Sequence, residues 1–199
     1  DRADHDQRHF ARQRLIDAAV ECFWMRGYEG TSVRALIEAM GIGGPSLYNA
    51  YGDKRELFER SLRRYAERSM RERIARLEAA HRPKEAITTF VTEIVDRSLR
   101  DPERKGCLLV NAALDVAPHD AEVGRMVSGY LDEIRDFFRR NIEAARKAGQ
   151  VPRRTDAEAV SGHLLGVVTG IRVLARTGAN RKLLESVARP ALELLEGRR

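Results

Sequence analysis

The stretch TSVRALIEAMGIGGPSLYNAYGDKRELF, residues 31–58, limits the possible folds more than any other part of the chain. From residue 33 to residue 40, apolar side chains recur at i, i+3, i+4 and i+7, which predicts a helix with one apolar face. Thr31 or Ser32 can cap the start of this helix, and Gly41 can end it because glycine tolerates a left-handed backbone. The stretch therefore predicts a short helix that stops sharply at a glycine turn.

A second short helix is predicted directly after the turn. Pro45 suits a first helical turn, where no backbone N–H is lost, and Leu47 and Tyr51 are predicted to face inward. The other residues of this helix then face outward: Ser46, Tyr48, Asn49 and Ala50. Two short helices joined in this way are typical of a helix-turn-helix, in which one helix enters the major groove of DNA and the other braces it.

The outward side chains carry the chemistry that DNA recognition requires. Asn49 can make a bidentate bond to adenine, and Arg34 can reach a phosphate or a guanine. Lys54 begins the next helix, where Asp53 and Glu56 form an Asp-x-x-Glu capping box and backbone N–H groups favour a phosphate. The predicted DNA-binding residues are Thr31, Ser32, Arg34, Gly44, Pro45, Ser46, Tyr48, Asn49 and Lys54.

With these residues placed, the chain resembles the TetR family of bacterial one-component transcriptional repressors. The segment GYEGTSVRALIEAMGIGGPSLYNAYGDKRELF carries the resemblance, which extends over roughly residues 10–60. It contains the glycine that closes the first helix, a Leu-Tyr-x-x-aromatic recognition helix and the lysine that follows it. The chain departs from the family at Gly43, Gly44 and Pro45, where Ser-Lys-Gly is frequent, and at Ala50, where a histidine is frequent.

A second segment resembles one subgroup of that family. The sequence GCLLVNAALDVAPHDAEV, residues 106–123, is similar to a segment of repressors that respond to electrophiles and oxidants. Within it, Cys107 follows Arg104 and Lys105 near a predicted helix start, and both features lower a thiol pKa. The sequence therefore predicts a redox role for Cys107, with a small buried hydrophobic residue as the alternative.

The rest of the chain predicts an all-α fold, because no strand pattern occurs and helical periodicity recurs between proline and glycine breaks. We predict an N-terminal three-helix helix-turn-helix DNA-binding domain over residues 1–52. A C-terminal helical ligand-binding and dimerisation domain is predicted over residues 53–199. The predicted helices outside the recognition motif cover residues 8–26, 54–80, 83–100, 106–117, 120–148, 156–176 and 181–196. The helix over 54–80 touches both domains in sequence and is the natural lever between them.

Charge and composition narrow the function less than the motif does. The net charge is +6, yet residues 1–56 carry 8 basic and 9 acidic side chains, against 8 and 4 in residues 57–82. The basic excess therefore lies on the helix after the motif. With two cysteines, no run of roughly 18 uncharged apolar residues and no zinc-ligand spacing, we expect a cytoplasmic protein without a membrane partner, metal or cofactor.

A regulator of this kind needs a ligand site, and the resemblance implies one inside the C-terminal helices. Its walls are expected from the helices over 54–80, 83–100, 106–117, 120–148 and 156–176. The predicted residues that sense a small-molecule or electrophile inducer are Cys107, Asn111, Met126, Tyr130 and His163. Catalytic motifs are not recognised, so no enzyme is expected. The alternative is a helical enzyme or thiol-redox protein that uses Cys107 and His163.

Three glycines within one predicted helix point to a close helix contact. Gly162, Gly166 and Gly170 recur every four residues, and each interior glycine costs roughly 1 kcal/mol relative to alanine. Close approach of another helix, in the chain or across a dimer, is the expected compensation. The resemblance implies a homodimer built from the last two helices, which also suits a palindromic operator. The predicted dimer interface comprises Gly162, Gly166, Gly170, Leu184 and Leu192.

Overall fold

The computed structural model describes the backbone of residues 2–196 and the side chains of residues 12–196. Within that part of the chain all regular structure is helical, which confirms the predicted all-α fold. One π-helical turn covers Glu67–Arg71. The helices are α1 (Arg2–Arg26), α2 (Val33–Met40), α3 (Gly44–Tyr51), α4 (Lys54–Ala66), α5 (Glu72–Ala80), α6 (Pro83–Leu99), α7 (Leu108–Asp115), α8 (Ala121–Lys147), α9 (Ala157–Arg176) and α10 (Arg181–Glu193).

Local capping sets the ends of the two short helices. Ser32 accepts a hydrogen bond from the backbone N–H of Ala35 at 3.1 Å and so caps α2. Gly41 has a φ of +65°, and its N–H donates to the Ile37 carbonyl oxygen at 3.0 Å. Pro45 lies in the first turn of α3, where its missing N–H costs no hydrogen bond. The glycine turn predicted between the two helices is confirmed.

An aromatic cluster holds the helix-turn-helix on the start of α4. Phe23 of α1 lies edge-on to Phe58 of α4, with the ring centroids 5.0 Å apart. The Tyr28 ring lies 4.9 Å from Phe58 on another side. Leu36 and Leu47, one from each short helix, are fully buried in the same core. The three N-terminal helices therefore share their apolar core with α4.

The lever predicted over residues 54–80 is one helical path with a π-helical turn in its middle. The N–H of Glu72 reaches the carbonyl oxygen of Glu67, five residues earlier, which widens the helix over this turn. Met70 lies in this turn and is buried. The π-helical turn was not predicted from the sequence, because apolar periodicity does not distinguish it from an α-helix.

Helices α6–α10, called the regulatory half after the role predicted for them, are built around the long helix α8. Val123, Phe137 and Phe138 of α8 are fully buried. Phe90 of α6 contacts both phenylalanines, at centroid distances of 5.2 Å and 5.3 Å. Helices α6 and α9 both pack on α8 and on each other, and α10 packs on α9 and α6. The helix predicted over residues 120–148 is confirmed, and its apolar side chains form the core of this half.

An ion pair joins the first turns of α4 and α8. Arg55 donates to both carboxylate oxygens of Asp120, at 2.7 Å and 3.1 Å. Asp120 also caps α8 by accepting the backbone N–H groups of Glu122 and Val123. The Arg55 guanidinium is the main reason that the pKa of Asp120 falls to about 2. The charge on Asp120 therefore ties the start of the lever to the regulatory half.

Replacing Asp120 by asparagine should make the stability of the protein less dependent on pH in the acid range. Asparagine keeps the helix cap but loses the charge that Arg55 holds. Because the pKa is lower in the folded protein than in the unfolded chain, the charge stabilises the fold above about pH 4, and this contribution is lost as the pH falls toward 2. Asp120→Asn should therefore have a lower urea midpoint than the parent at pH 7, with a gap that narrows below pH 4. A constant gap would contradict this role; Asp132→Asn, exposed on the same helix, is the control.

Candidate nucleic-acid interface and regulatory cavity

Helix α3 presents one polar face to solvent and one apolar face to the core. Leu47 and Tyr51 are buried, as predicted, and they fix the rotation of the helix about its axis. Tyr48 is 54% exposed, and Ser46 and Asn49 are also exposed. A hydroxyl, a phenol and an amide thus lie on the outer surface of an eight-residue helix, which suits contacts to phosphates and base edges.

Side chains around α3 extend this polar surface. Ser32 and Arg34 are exposed at the start of α2, and Pro45 is exposed at the start of α3. Arg34 pairs with Glu38 at 2.9 Å, and both side chains are largely exposed. Such a surface pair contributes little to stability, so Arg34 can exchange Glu38 for a phosphate at small cost. Gly44 is half-buried, and a Cβ there would lie 3.5 Å from the Ile37 side chain.

The first turn of α4 lies beside this surface. Asp53 and Glu56 form the predicted capping box, with side-chain to backbone distances of 2.8 Å and 3.1 Å. Lys54 is half-buried, with Nζ 4.3 Å from the centre of the Tyr28 ring. The ring holds the ammonium near the free N–H groups of the helix start, where an anion is favoured.

Thr31 is a correction to the predicted interface. Its side chain is 0% exposed, so it cannot meet DNA as the sequence suggested. The hydroxyl donates to the backbone carbonyl oxygens of Gly27 at 2.6 Å and Cys22 at 3.2 Å. Thr31 therefore ties the end of α1 to the start of α2. Adjacent Thr31 and Ser32 are both plausible caps, and only the tertiary path of the chain separates their roles.

A cavity of about 50 Å³ lies inside the regulatory half. Its walls come from α4, the π-helical turn and α5, together with α6, α7, α8 and α9. These are the walls expected from the sequence. Most of the lining is apolar: Met70, Phe90, Ile94, Leu109, Val110, Leu131, Ile134 and Val168. The polar lining is Tyr65, Ser69, Arg73, Arg97, Cys107, Thr169 and Arg172.

Two of the cavity arginines are buried. Arg172 is 7% exposed and donates to the Ser98 hydroxyl at 2.9 Å and to the Gly106 carbonyl oxygen. Arg73 is 6% exposed and lies over the Phe90 ring, with its carbon 5.6 Å from the ring centre. Both guanidinium groups therefore lie in largely apolar surroundings. The cavity combines an apolar wall with positive charge.

Tyr65 and Cys107 meet at the wall nearest to the DNA-binding domain. Burial raises the pKa of Tyr65, and the neighbouring Cys107 thiol raises it further, whereas Arg172 lowers it. On its other side, Tyr65 packs edge-on against Trp24 of α1 at 4.9 Å. The cavity is therefore separated from the N-terminal helices by a single aromatic side chain.

Comparison with known proteins decides the family. The family described as bacterial regulatory proteins, tetR family, matches residues 15–60, and the tetracyclin repressor-like C-terminal domain matches residues 83–191. The chain belongs to the TetR family. The resemblance predicted from the motif is confirmed, and with it a DNA-binding transcriptional regulator.

Relatives and solved structures cover nearly the whole chain. The HTH-type transcriptional regulator YezE of Bacillus subtilis is 33% identical over 184 residues, 92% of this chain and 94% of that protein. The HTH-type transcriptional repressor ComR of Escherichia coli is 25% identical over 93% of this chain and 89% of its own. A cysteine variant of the TetR regulator CifR, solved with 26-bp operator DNA, is 34% identical with a TM-score of 0.81, covering 92% of this chain and 95% of CifR.

The structure corrects four of the five predicted sensing residues in this TetR protein. Cys107 lines the cavity; Asn111, Met126, Tyr130 and His163 do not. Asn111 is buried and donates to the Lys105 carbonyl oxygen at 2.9 Å, a structural role. His163 is exposed on α9, so it forms no pair with a cysteine in the cavity wall. Tyr130 packs under Arg71, and Met126 is only half-buried on α8.

The two basic neighbours of Cys107 are engaged elsewhere in the fold. Lys105 pairs with Glu21 at 2.9 Å and lies over the Trp24 ring, with Nζ 4.5 Å from its centre. The Arg104 guanidinium lies against Gly178, just after the C-terminal end of α9. Cations that share the cavity wall with Cys107 come instead from α5, α6 and α9. The sequence could not identify them, because they are distant along the chain.

The glycine ridge of α9 is open within the single chain. A Cβ at Gly162, Gly166 or Gly170 would meet no atom of the described residues within 4 Å. The compensating contact is therefore not made by another helix of this part of the chain. Leu184 is fully buried in the core, which corrects its predicted place at an interface, and Leu192 is half-buried in a groove beside α6. The exposed apolar side chains of this end of the chain are Val173 on α9, Leu183 on α10 and Leu194 directly after α10.

Thr31→Val tests whether residue 31 is structural. Valine has the shape of threonine but leaves the carbonyl groups of Gly27 and Cys22 without the hydroxyl donor, at a cost of about 1–3 kcal/mol in unfolding free energy. Urea denaturation should show this loss, while the salt dependence of DNA binding stays that of the parent. A flattened salt slope with unchanged stability would restore Thr31 as a phosphate contact.

Proposed function

We propose that the protein is a homodimeric one-component repressor that acts in the cytoplasm. It binds a palindromic operator through α3 of each subunit and releases it when a small molecule enters the cavity or when Cys107 is modified. The observation that carries the proposal is the exposed polar face of α3, anchored by Leu47 and Tyr51. The repressor ComR and the operator-bound CifR support it as relatives.

Recognition of DNA follows from the direction of the α3 side chains. Asn49 reads an adenine edge in the major groove, and Ser46 and Tyr48 donate to phosphates on either side. Lys54 is held over the Tyr28 ring. Its ammonium and the backbone N–H groups at the start of α4 bind one further phosphate. Base reading and backbone positioning are thus assigned to different residues, which makes them separable by experiment.

The Asn49→Ala and Lys54→Ala variants should lose different properties. Asn49→Ala should relax base preference at one position per half-site, with a cost of about 1–3 kcal/mol if the contact is bidentate. Lys54→Ala should weaken binding to all sequences alike. It should also reduce the slope of log affinity against log salt concentration by about one. Gel shifts on matched and mutated operators at several salt concentrations measure both effects.

Lys147→Ala is the matched control, since this exposed lysine ends α8, outside the recognition motif and outside α9 and α10. It should bind DNA like the parent at every salt concentration. If Asn49→Ala and Lys54→Ala both bind DNA with the affinity and specificity of the parent, the assigned recognition surface is wrong.

Dimerisation is assigned to the open face of α9 and α10. By length and apolar composition α9 could also span a membrane, but Leu164, Val168 and Ile171 are buried in the core. Its glycines leave a flat strip on the opposite side, flanked by Val173. A second copy that packs on this strip would cover it and space the two α3 helices for a two-fold symmetric operator.

The Gly166→Leu substitution should change stability in opposite directions with and without a partner helix. In a lone chain the side chain would meet open space, and leucine would stabilise α9 by up to about 1 kcal/mol over glycine. Against a partner it would overpack, at a cost of typically 1–3 kcal/mol. We expect sedimentation to show more monomer and gel shifts to show weaker operator binding.

Gly129→Leu is the control, because Gly129 is also an interior helix glycine with open space around a Cβ, but on α8. It should leave the dimer intact. An intact Gly166→Leu dimer with raised stability would remove α9 from the interface.

Induction is assigned to the cavity, because the lever forms its wall. A ligand or a modified Cys107 would push atoms into a space of about 50 Å³. Tyr65 and the π-helical turn would have to move. Both belong to the continuous helical segment that begins at Lys54, directly after α3. Coupling of the usual 1–3 kcal/mol would change operator affinity about 5- to 150-fold.

Alkylation of Cys107 should release the operator. The parent and Cys107→Ser are treated with iodoacetamide, and operator binding is followed by gel shift. The parent should lose affinity and Cys107→Ser should not, whereas Cys22→Ser, a half-buried cysteine outside the cavity lining, should behave like the parent. Equal release from Cys107→Ser would end the thiol mechanism and leave reversible ligand binding.

A further inference from the structure

The charge of the cavity lining is unbalanced. Three arginines contribute to it, Arg73, Arg97 and Arg172, and no aspartate or glutamate does. Apolar side chains form most of the remaining wall. A buried cation in such surroundings is costly unless an anion compensates it. The lining itself therefore supplies no counter-charge for its two buried arginines, Arg73 and Arg172.

Arg172 has only neutral partners among the described residues. Its guanidinium donates to the hydroxyl of Ser98 and to the backbone carbonyl oxygen of Gly106. Neither partner is a carboxylate, and no ion pair of Arg172 occurs within the described residues. Two neutral acceptors satisfy part of a five-donor group, and they leave its full charge uncompensated.

Arg73 is only loosely paired. Its Nε lies 3.6 Å from Glu93, whereas Nη2 of Arg76 contacts both oxygens of that carboxylate at 2.7 Å and 2.8 Å. Glu93 is therefore mainly the partner of Arg76 on the surface. Arg73 retains a buried guanidinium on the cavity wall, and its first neighbour there is the Phe90 ring.

We propose that the cavity binds a monocarboxylate with a small apolar body, whose carboxylate pairs with Arg172 and Arg73 while its body lies on the apolar wall. This inference rests on the proposed ligand-responsive function and names the ligand class of that site. A single carboxylate matches the planar fork of a guanidinium. The volume of about 50 Å³ selects a small body, and the apolar wall disfavours a strongly hydrated dianion such as phosphate.

The position of Arg172 connects this anion to the DNA-binding domain. The Gly106 carbonyl oxygen accepts from Arg172 of α9 and also from the indole N–H of Trp24 in α1, at 3.2 Å for the latter. A carboxylate that draws the Arg172 guanidinium toward itself competes with Gly106 for the same donors. The ligand therefore acts on the acceptor to which the last turns of α1 are anchored.

Binding is tested with the small carboxylates butanoate, hexanoate and benzoate, each beside its primary amide, and decanoate is the carboxylate that should be too long for the cavity. The readouts are thermal stability and the emission of Trp24, the single tryptophan of the chain. At least one carboxylate should stabilise the protein saturably and change Trp24 emission, with an affinity about tenfold above that of its amide, since charge-assisted hydrogen bonds are the stronger ones. Inorganic phosphate should do neither.

Arginine variants identify which side chain binds the carboxylate. Arg172→Gln should abolish the preference for carboxylate over amide. If this variant does not fold, Arg73→Gln decides, with an expected loss of about fivefold or more in carboxylate affinity for a removed charged contact. Arg176→Gln, one turn along α9, and Arg71→Gln, two residues before Arg73, are the matched controls. Neither arginine lines the cavity, and Arg71 pairs with Glu67 and Glu133, so its loss leaves Glu93 on Arg76. Both controls should bind carboxylate like the parent.

The proposal is overturned if no carboxylate of the series binds, if amides bind as tightly, if phosphate substitutes, or if the variant that folds binds like the parent. A gel shift with a DNA fragment selected by the ligand-free protein separates this failure from a failure of the proposed function. Retained DNA binding without a carboxylate response contradicts the ligand class alone. Loss of selective DNA binding by the parent contradicts the regulator itself.

Discussion

The packing of α1 against α4 is the contact on which the rest of the structure depends. Phe23 places α1 on Phe58, under the recognition helix, and one residue later Trp24 places the same helix on Tyr65, at the cavity wall. Two consecutive aromatic residues thus join the DNA-binding surface to the regulatory cavity. Asp17 adds charge pairs to Arg64 and Arg68 along the same contact, and these pairs lower its pKa although burial opposes the shift.

The features that depend on local rules could be predicted from the sequence. The glycine turn after α2, the capping box at Asp53 and Glu56, and the inward positions of Leu47 and Tyr51 follow from helix periodicity and capping. The outward face of α3 follows from the same periodicity. Because these rules act over four or five residues, they hold in the folded protein with little influence from the rest of the chain.

The features that depend on the tertiary path could not be predicted. Thr31 and Leu184 were placed on surfaces, yet both are fully buried, while the neighbouring Leu183 is exposed. A shift by one residue rotates a side chain by about 100° on a helix, and the sequence alone does not fix that rotation at a helix end. The pairing of Arg172 with Gly106 joins residues 66 positions apart, and no periodic pattern signals it.

Through α1, the DNA-binding domain and the cavity pack as one unit. The most direct test is urea unfolding at fixed protein concentration, followed by Trp24 emission and by far-ultraviolet circular dichroism. Trp24 reports on the contact between α1, Tyr65 and Gly106, whereas dichroism reports on all helices. We expect the two midpoints to coincide, as for one cooperative unit. A Trp24 transition at clearly lower urea would show that α1 separates from the lever first, and would contradict this expectation.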